Sequence, residues 1–445
     1  MSAEVITPSA ALTPKMVALW TRFGGSLMLA VSRCFAVGIQ FLLQIVVGAL
    51  AGPAGIGVLQ LFASWSCTLG EVVARGLPVW SMRVVAIETA EGRGDVAKFN
   101  LRWAANRLLR GSIMLGALAA LVGAVFWGHL QTLLGGDYGG LLIAVILGTP
   151  LFALVRLGAE ALKGAGVPLQ AVTLENVVIP CVLLLVCGFC WFYERPLDGP
   201  LILVASCVAL AVTLLLIWKR LLNKLSEAST PSVEADTPLR STSDLNALWV
   251  NSVLAILFMQ LPFLLLPWYA SPDDIGVYAV AYKLLNVVTT MLLLLSAVFG
   301  PAFARAASSD DPGELWRLLK RTQQVSSLIF FPLCLIVLLA VDELSGLFNL
   351  PSQELQNYLL ILAAGQTVNA LTGLSGMLLN MCGEAKLEMK ALLASIFVAL
   401  IATPIIGPAY GVVGLAVLFS SVLVIKSLLS YSTAIVYLAK RKMNS

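Results

Sequence analysis

The sequence predicts an all-α polytopic membrane protein with about twelve transmembrane helices. Of its 445 residues, 59% are hydrophobic and only 12% are charged, and the mean hydropathy is +0.92. Soluble domains carry about 25% charged residues, so this composition excludes a soluble globule and a disordered chain. Twelve spans of ~20 residues would use about 240 positions, which suits this length with short loops.

Apolar runs bounded by charged residues, Gly or Pro mark the candidate spans. They are 25–50, 55–82, 112–132, 139–162, 169–192, 199–218, 245–269, 275–304, 324–341, 355–381, 387–406 and 411–438. A polar stretch at 226–238 separates the sixth and seventh spans and predicts a flexible linker. The expected organisation is an N-terminal segment 1–24, an N-lobe 25–222, a linker 223–244, a C-lobe 245–439 and a tail 440–445.

The distribution of Lys and Arg predicts the orientation. With a cytoplasmic N-terminus, the inner segments hold 22 of the 28 basic residues, and the outer loops hold only Arg195. This is a strong positive-inside bias. Both termini are therefore expected to be cytoplasmic.

The two halves of the chain repeat. Gly52–Val58 matches Ser271–Val277 at an offset of 219 residues. The same offset pairs two further glycines of each half, Gly94 with Gly313 and Gly164 with Gly383. Six spans per half is an even number, so the repeats are parallel and related by an axis along the membrane normal. Such repeats are typical of transporters and predict a central cavity between two six-helix lobes.

Two cytoplasmic segments, 98–110 and 314–321, mix basic and bulky apolar residues. Each is compatible with an interfacial helix lying against anionic headgroups. An extension of the neighbouring span, with its charges in water, explains the pattern equally well. In the seventh span, Pro262 and Pro267 indicate either a hinge or a packing kink.

Charged residues within the predicted spans are the main functional candidates. A charge at a helix centre costs ~2.5–3.5 kcal/mol on insertion scales, so it is expected to face a wet cavity or a partner. Eight positions qualify: Arg33, Glu71, Arg75, Arg156, Glu160, Glu175, Lys283 and Lys426. Glu160 and Glu175 lie near the cytoplasmic boundary and can snorkel to it.

The deeper charges are mostly basic. Glu71 and Arg75 are spaced i, i+4, and a purely structural ion pair between them is one interpretation. Arg33, Lys283 and Lys426 then have no deep carboxylate left. We therefore predict a cationic cavity for an anion such as phosphate or pyrophosphate, formed by Arg33, Arg75, Lys283 and Lys426, with Arg156 as a weaker candidate. Glu71 would hold Arg75 in position or titrate with a coupling proton.

Other function classes lack the residues they need. His129 is the only histidine, so neither a His-based metal site nor a catalytic triad is expected. Cys187 and Cys190 form C-x-x-C inside an apolar run, where thiols are usually structural. The short outer loops disfavour a glycan-processing enzyme, and dispersed basic residues disfavour nucleic acid. We expect no enzyme activity, no metal and no cofactor.

Several segments resemble the Wzx-type polysaccharide flippases of the multidrug/oligosaccharidyl-lipid/polysaccharide (MOP) exporter superfamily. They are the turn Val46–Val58, the Leu-Gly-Glu…Arg-Gly-Leu stretch at 69–77, Ile275–Leu284 followed by Phe299–Arg305, and Leu379–Glu384. The resemblance implies two six-helix lobes around a V-shaped cavity that opens alternately to either side of the membrane. By motif position, Lys283 resembles the cationic residue of the eighth span that lines the cavity in this family.

The resemblance also implies the substrate and the compartment. The expected cargo is an undecaprenyl-diphosphate-linked oligosaccharide, such as an O-antigen or exopolysaccharide repeat unit, moved across the bacterial inner membrane. Expected partners are this lipid-linked oligosaccharide, membrane lipids, and polysaccharide polymerase and chain-length proteins, with a proton or sodium gradient as the driving force. The alternative is a cation-coupled, MATE-like multidrug exporter, whose activity would depend on Glu71 rather than on the basic residues.

Overall fold

The computed structural model describes residues 14–134, 139–228, 245–308 and 312–444. Within these ranges the chain forms thirteen α-helices and one 3₁₀ turn. The helices are α1 (Pro14–Ala74), α2 (Leu77–Ala90), α3 (Gly94–Leu134), α4 (Gly139–Gly164), α5 (Pro168–Phe192), α6 (Gly199–Glu227), α7 (Leu245–Leu265), α8 (Pro272–Ser308), α9 (Pro312–Leu339), α10 (Val341–Phe348), α11 (Ser352–Thr372), α12 (Ser375–Met381) and α13 (Ala385–Asn444). The 3₁₀ turn, Leu266–Trp268, follows α7.

Two of these helices each contain two spans. α1 is kinked at Gly52 (φ 66°) and α13 at Gly411 (φ 57°). In addition, α2 continues the second part of α1 beyond a break at Gly76, and α12 continues α11 beyond Gly373. Dividing and joining the helices at these points gives twelve long helical rods, six on each side of residues 229–244, together with the short helix α10. The predicted all-helical membrane fold is confirmed.

A stricter count uses length and apolarity alone. By those two properties, six of the described helices are able to cross a membrane, and a seventh is added if the bent pair α11–α12 forms one span. α1 and α13, which hold two rods each, are both among the six. The protein is a multi-pass membrane protein.

Helix ends differ from the predicted boundaries. α1 begins at Pro14, inside the expected segment 1–24, and α6 extends to Glu227, inside the expected linker. Segments 98–110 and 314–321 are continuous parts of α3 and α9, so they are helix extensions and not separate interfacial helices. Lys and Glu have nearly the same helix propensity as Leu, so a helix can continue beyond the apolar run. Apolarity alone therefore underestimates the length of a membrane helix.

The two lobes pack against each other beside the kink of α1 and the start of α8, both on the predicted outer side. Ile56 of the N-lobe and Phe263, Ile275 and Tyr278 of the C-lobe are all fully buried in one apolar cluster. Trp65 Nε1 donates a hydrogen bond of 3.0 Å to the Phe263 carbonyl. In a continuous helix this carbonyl would accept a hydrogen bond from the N–H of residue 267. That residue is Pro267, which has no N–H. An indole of one lobe therefore satisfies a helix break in the other.

The repeat motif itself forms the tightest part of this contact. A Cβ built on Gly57 would overlap the backbone oxygen of Pro272, and a Cβ built on Gly276 would overlap that of Pro53. The amide of Ala54 also donates to Asp273 Oδ1 at 3.1 Å, between residues 219 positions apart. The two glycine contacts are reciprocal, as a pseudo-two-fold axis requires, and the hydrogen bond joins equivalent positions, so both agree with the register of the first motif. We call this set the glycine junction: Pro53, Ala54 and Gly57 with Pro272, Asp273 and Gly276.

The third predicted repeat pair is out of register. Gly164 is the last residue of α4, whereas Gly383 is a left-handed loop residue with φ 81°. The residue with the matching conformation is Gly166, also at φ 81°. The register therefore shifts by two residues before this turn. The shift accompanies a difference in helix length, since α4 is continuous and its counterpart is broken at Gly373.

Candidate functional site

The four predicted cavity cations lie in different surroundings. Arg33 on α1 and Arg75 at the end of α1 are exposed, whereas Lys283 on α8 and Lys426 on α13 are half-buried. Of the four, only Arg75 lines the large cleft described below. The expectation of one chamber shared by all four therefore has no support from the contacts of the described residues.

Lys426 is neutralised, contrary to the prediction. Its Nζ lies 2.6 Å from Glu388 Oε1, and the second oxygen of Glu388 accepts a hydrogen bond of 2.6 Å from Ser430. The sequence pattern placed Glu388 at the boundary of the eleventh span. Because α13 folds back on itself at Gly411, its two parts lie side by side, and the carboxylate on the first part meets the ammonium on the second.

Glu71 pairs with Arg156 and not with Arg75. Glu71 Oε2 lies 3.7 Å from Arg156 Nε, and the carboxylate is 2% exposed. The i, i+4 pair with Arg75, one of the interpretations of the sequence, does not form because the helix ends at Ala74, between the two positions. Arg75 has φ 47° and Gly76 has φ 75°, so the Arg75 side chain is turned away from the helix face that carries Glu71.

Arg156 belongs to a wider set of ion pairs. Its Nη1 lies 3.6 Å from Glu175 Oε1, and Lys163 Nζ lies 2.8 Å from Glu160 and 3.6 Å from Glu175. We call Glu71, Arg156, Glu160, Lys163 and Glu175 the N-lobe ion network. It connects α1, α4 and α5, and its three carboxylates outnumber its two cations. Glu160 and Glu175 were expected to reach headgroups, but they bind basic partners inside this network.

Arg75 lines a second feature, a cleft of about 940 Å³ between the end of α1, one face of α3 and the start of α7. We call it the arginine cleft, because Arg75, Arg107 and Arg110 line it and none of its described lining residues is acidic. The Arg107 guanidinium lies 5.3 Å from the ring centre of Trp103, in cation–π geometry. Trp249 of α7 closes the cleft by donating from Nε1 to the Val72 carbonyl at 3.0 Å.

Sequence reasoning missed Arg107 and Arg110. Both belong to segment 98–110, whose basic residues were used to predict the orientation and an interfacial helix, and neither was proposed as a binding residue. A usable signal was present, since Trp103, Arg107 and Arg110 follow the 3–4 residue spacing of one helix face. The signal gained meaning only after α3 was known to be continuous from Gly94.

Comparisons with known proteins agree with this architecture. Residues 245–348 match a family model described as polysaccharide biosynthesis protein. An inward-facing multidrug resistance MATE family transporter of the MOP superfamily superimposes with a TM-score of 0.68, at 14% identity over 92% of this chain and 96% of that chain. The chain has the fold of the MOP-superfamily transporters.

Two further solved structures share this MOP fold. An outward-facing MATE family transporter gives a TM-score of 0.59, at 14% identity over 94% of this chain and 96% of that chain. A MOP-superfamily transporter from Pyrococcus furiosus, described by a reverse polarity of its binding pocket and a different function, also gives 0.59, at 15% identity over the same shares. No curated protein sequence matches the chain.

Within the MOP fold, Lys283 lies in the part of the chain that matches the family model. It sits on α8 beside Tyr282, whose hydroxyl donates to the Met259 carbonyl at 2.9 Å. A small cavity of about 200 Å³ adjoins this helix and is lined by uncharged groups such as Asn286 and Gln366. Among the described residues, no carboxylate lies within ion-pair distance of Lys283 or Arg33.

Proposed function

We propose that this MOP-fold membrane protein is a flippase for an undecaprenyl-diphosphate-linked oligosaccharide. It would act by alternating access in the bacterial inner membrane, with both termini in the cytoplasm. The match of residues 245–348 to a polysaccharide biosynthesis family, on a MOP transporter fold, carries this proposal. Polysaccharide polymerase and chain-length proteins are its proposed partners.

The charge distribution supports an anionic cargo. Arg33, Arg75 and Lys283 remain without a carboxylate partner among the described residues, whereas Lys426 and Arg156 are paired. Unpaired guanidinium and ammonium groups inside a low-dielectric slab attract anions. The proposed substrate-binding set is therefore Arg33, Arg75 and Lys283, without Lys426 and Arg156.

Two observations support an inward-facing resting state. The glycine junction holds the predicted outer ends of the lobes together. The TM-score is also higher with the inward-facing relative than with the outward-facing one, 0.68 against 0.59. Delivery to the outer leaflet would then require the junction to separate.

A gradient-coupled step has a candidate residue in Glu71. One oxygen of this buried carboxylate has no hydrogen-bond partner, and its ion pair at 3.7 Å is longer than a hydrogen bond. Glu71 is also the residue on which the alternative function, cation-coupled drug export, would depend. Drug resistance conferred by the wild-type chain and lost in Glu71→Gln would favour that alternative.

The decisive experiment measures surface polysaccharide in cells that depend on this chain. Lys283→Ala and Arg75→Ala are expected to lower it by at least about tenfold, because a hydrogen bond to a charged group contributes about 1.5–3 kcal/mol. Lys219→Ala removes an exposed cation of α6 outside the proposed set and serves as the matched control. Normal polysaccharide levels in both test variants, at wild-type expression, would contradict the proposal.

A further inference from the structure

The arginine cleft has the form of an amphipathic trough. The face of α3 that lines it runs from Trp103 to Leu118, about four helical turns. The half nearer the cytoplasmic end presents Asn106, Arg107 and Arg110, and the half nearer the membrane centre presents apolar side chains. Met114 and Leu118 in that second half are 74% and 57% exposed. The cleft therefore has a cationic end, which we call the mouth (Arg75, Arg107 and Arg110), and continues into an open apolar groove along Met114 and Leu118.

The charges of the mouth have no counter-ion in the described chain. Arg75, Arg107 and Arg110 make no ion pair and no hydrogen bond with another described residue, and Arg107 is only stacked on Trp103. Three guanidinium groups around one cleft repel each other unless an anion lies between them. Guanidinium groups bind phosphate oxygens in bidentate fashion.

The equivalent positions of the C-lobe do not form such a cleft. At the offset of 219 residues, Arg107 and Arg110 correspond to Ser326 and Ile329. Ser326 is buried and donates to the Ala370 carbonyl at 2.5 Å, so α9 is packed against α11 where α3 is open. The cleft is therefore an addition to the repeat and not a product of it.

We propose that the arginine cleft binds the diphosphate group of a prenyl-diphosphate lipid on the cytoplasmic side, with the adjoining part of its hydrocarbon chain along Met114 and Leu118. This inference rests on the proposed function and names the entry site of its substrate. A lipid diphosphate diester carries two negative charges, whereas a simple phospholipid phosphodiester carries one. Three guanidinium groups match the former better.

The position of Arg75 connects this site with the proposed cavity. Arg75 lines the cleft and lies at the break between α1 and α2. Glu71 precedes it by four residues, on the last turn of α1. Trp249 belongs to α7 of the other lobe and bonds to Val72 beside the break. A ligand in the cleft would thus touch both lobes, as a substrate that drives alternating access must.

The test measures lipid binding to the full-length protein in phosphatidylcholine nanodiscs by native mass spectrometry. Undecaprenyl diphosphate, phosphatidylglycerol and inorganic pyrophosphate are the three probes. The double variant Arg107→Ala/Arg110→Ala is expected to retain at least about tenfold less undecaprenyl diphosphate than the wild type. Arg102→Ala, an exposed arginine of α3 that does not line the cleft, is expected to bind like the wild type.

The remaining outcomes separate the two proposals. If the wild type binds undecaprenyl diphosphate and the double variant binds it equally well, the cleft assignment is wrong and the proposed function stands. If the wild type does not bind it at all, both fall. Equal binding of phosphatidylglycerol and its equal loss in the double variant would identify an ordinary phospholipid site and overturn the diphosphate assignment. Arg107→Lys/Arg110→Lys, which keeps both charges, should recover part of the binding and shows that the fold is intact.

Discussion

The two lobes follow one helix order but hold charge in different ways. The N-lobe contains an ion network of five residues that joins three helices, and beside it an open cleft with three arginines. In the described part of the C-lobe, Lys426 forms a compact pair with Glu388, and a small cavity is lined by uncharged groups. The two lobes share the backbone repeat but carry their charged residues at different positions. The fold alone therefore does not determine where these charges lie.

The contrast extends to the second span of each lobe. In the N-lobe this span is broken at Arg75 and Gly76, whereas its counterpart α8 is a single helix of 37 residues. Glu71 and Arg75 correspond to Thr290 and Leu294 at the offset of 219 residues. The break, the buried carboxylate and the exposed arginine therefore occur together in one lobe only.

The largest effect on stability is expected from Arg156→Gln. This change removes the cation between Glu71 and Glu175 and leaves the carboxylate of Glu71, 2% exposed, without a counter-ion. Breaking a buried ion pair from one side costs about 3–5 kcal/mol. The midpoint of thermal unfolding in detergent should fall sharply. Glu71→Gln made in the same background should restore part of the loss, and no recovery would show that the two residues are not coupled.

Smaller effects are expected at the glycine junction. Gly57→Ala and Gly276→Ala each force a Cβ into a carbonyl of the opposite lobe, and overpacking of this kind costs about 1–3 kcal/mol. Gly188→Ala on α5 adds a Cβ with no neighbour within 4 Å and is the matched control. Both junction variants should lower thermal stability. They should also favour separation of the lobes on the predicted outer side, measured as increased labelling of a cysteine introduced by Ala54→Cys.

The two glycine substitutions also test whether the lobes contact each other symmetrically. Because the contacts of the glycine junction are reciprocal, the two single substitutions should have similar effects, and the double variant should lose less than the sum of both. Strongly unequal single effects would mean that the lobes meet asymmetrically at this end.

The smallest stability effect is expected from Lys426→Gln in the C-lobe. Glu388 would lose its cation but keep the hydrogen bond from Ser430, and a retained partner limits the loss to about 1–2 kcal/mol. The measurement is again the thermal midpoint, compared directly with Arg156→Gln. A larger loss at Lys426 than at Arg156 would reverse the proposed ranking of the two lobes.

Much of the fold was predictable because membranes impose strict rules on composition. Apolar runs of spanning length, the positive-inside bias and the motif at 52–58 and 271–277 predicted twelve helices in two repeated lobes. The candidate site was harder to predict. The pair of Glu71 with Arg75, one interpretation of their i, i+4 spacing, does not form because a backbone break at Arg75 removes the required geometry. Depth along the spans predicted that Lys426 has no carboxylate partner, and this was wrong because Glu388 lies beside it across a helix kink.

The sequence alone determined that the chain is a membrane-embedded helical repeat with several basic residues inside its predicted spans. Hydrophobicity and spacing are local properties, and a bilayer converts them directly into spans. Only the tertiary structure decided which charges neutralise each other and which face an open cleft. An ion pair depends on distances of a few ångströms between residues far apart in the chain, and helix breaks and crossings, not residue order, set those distances.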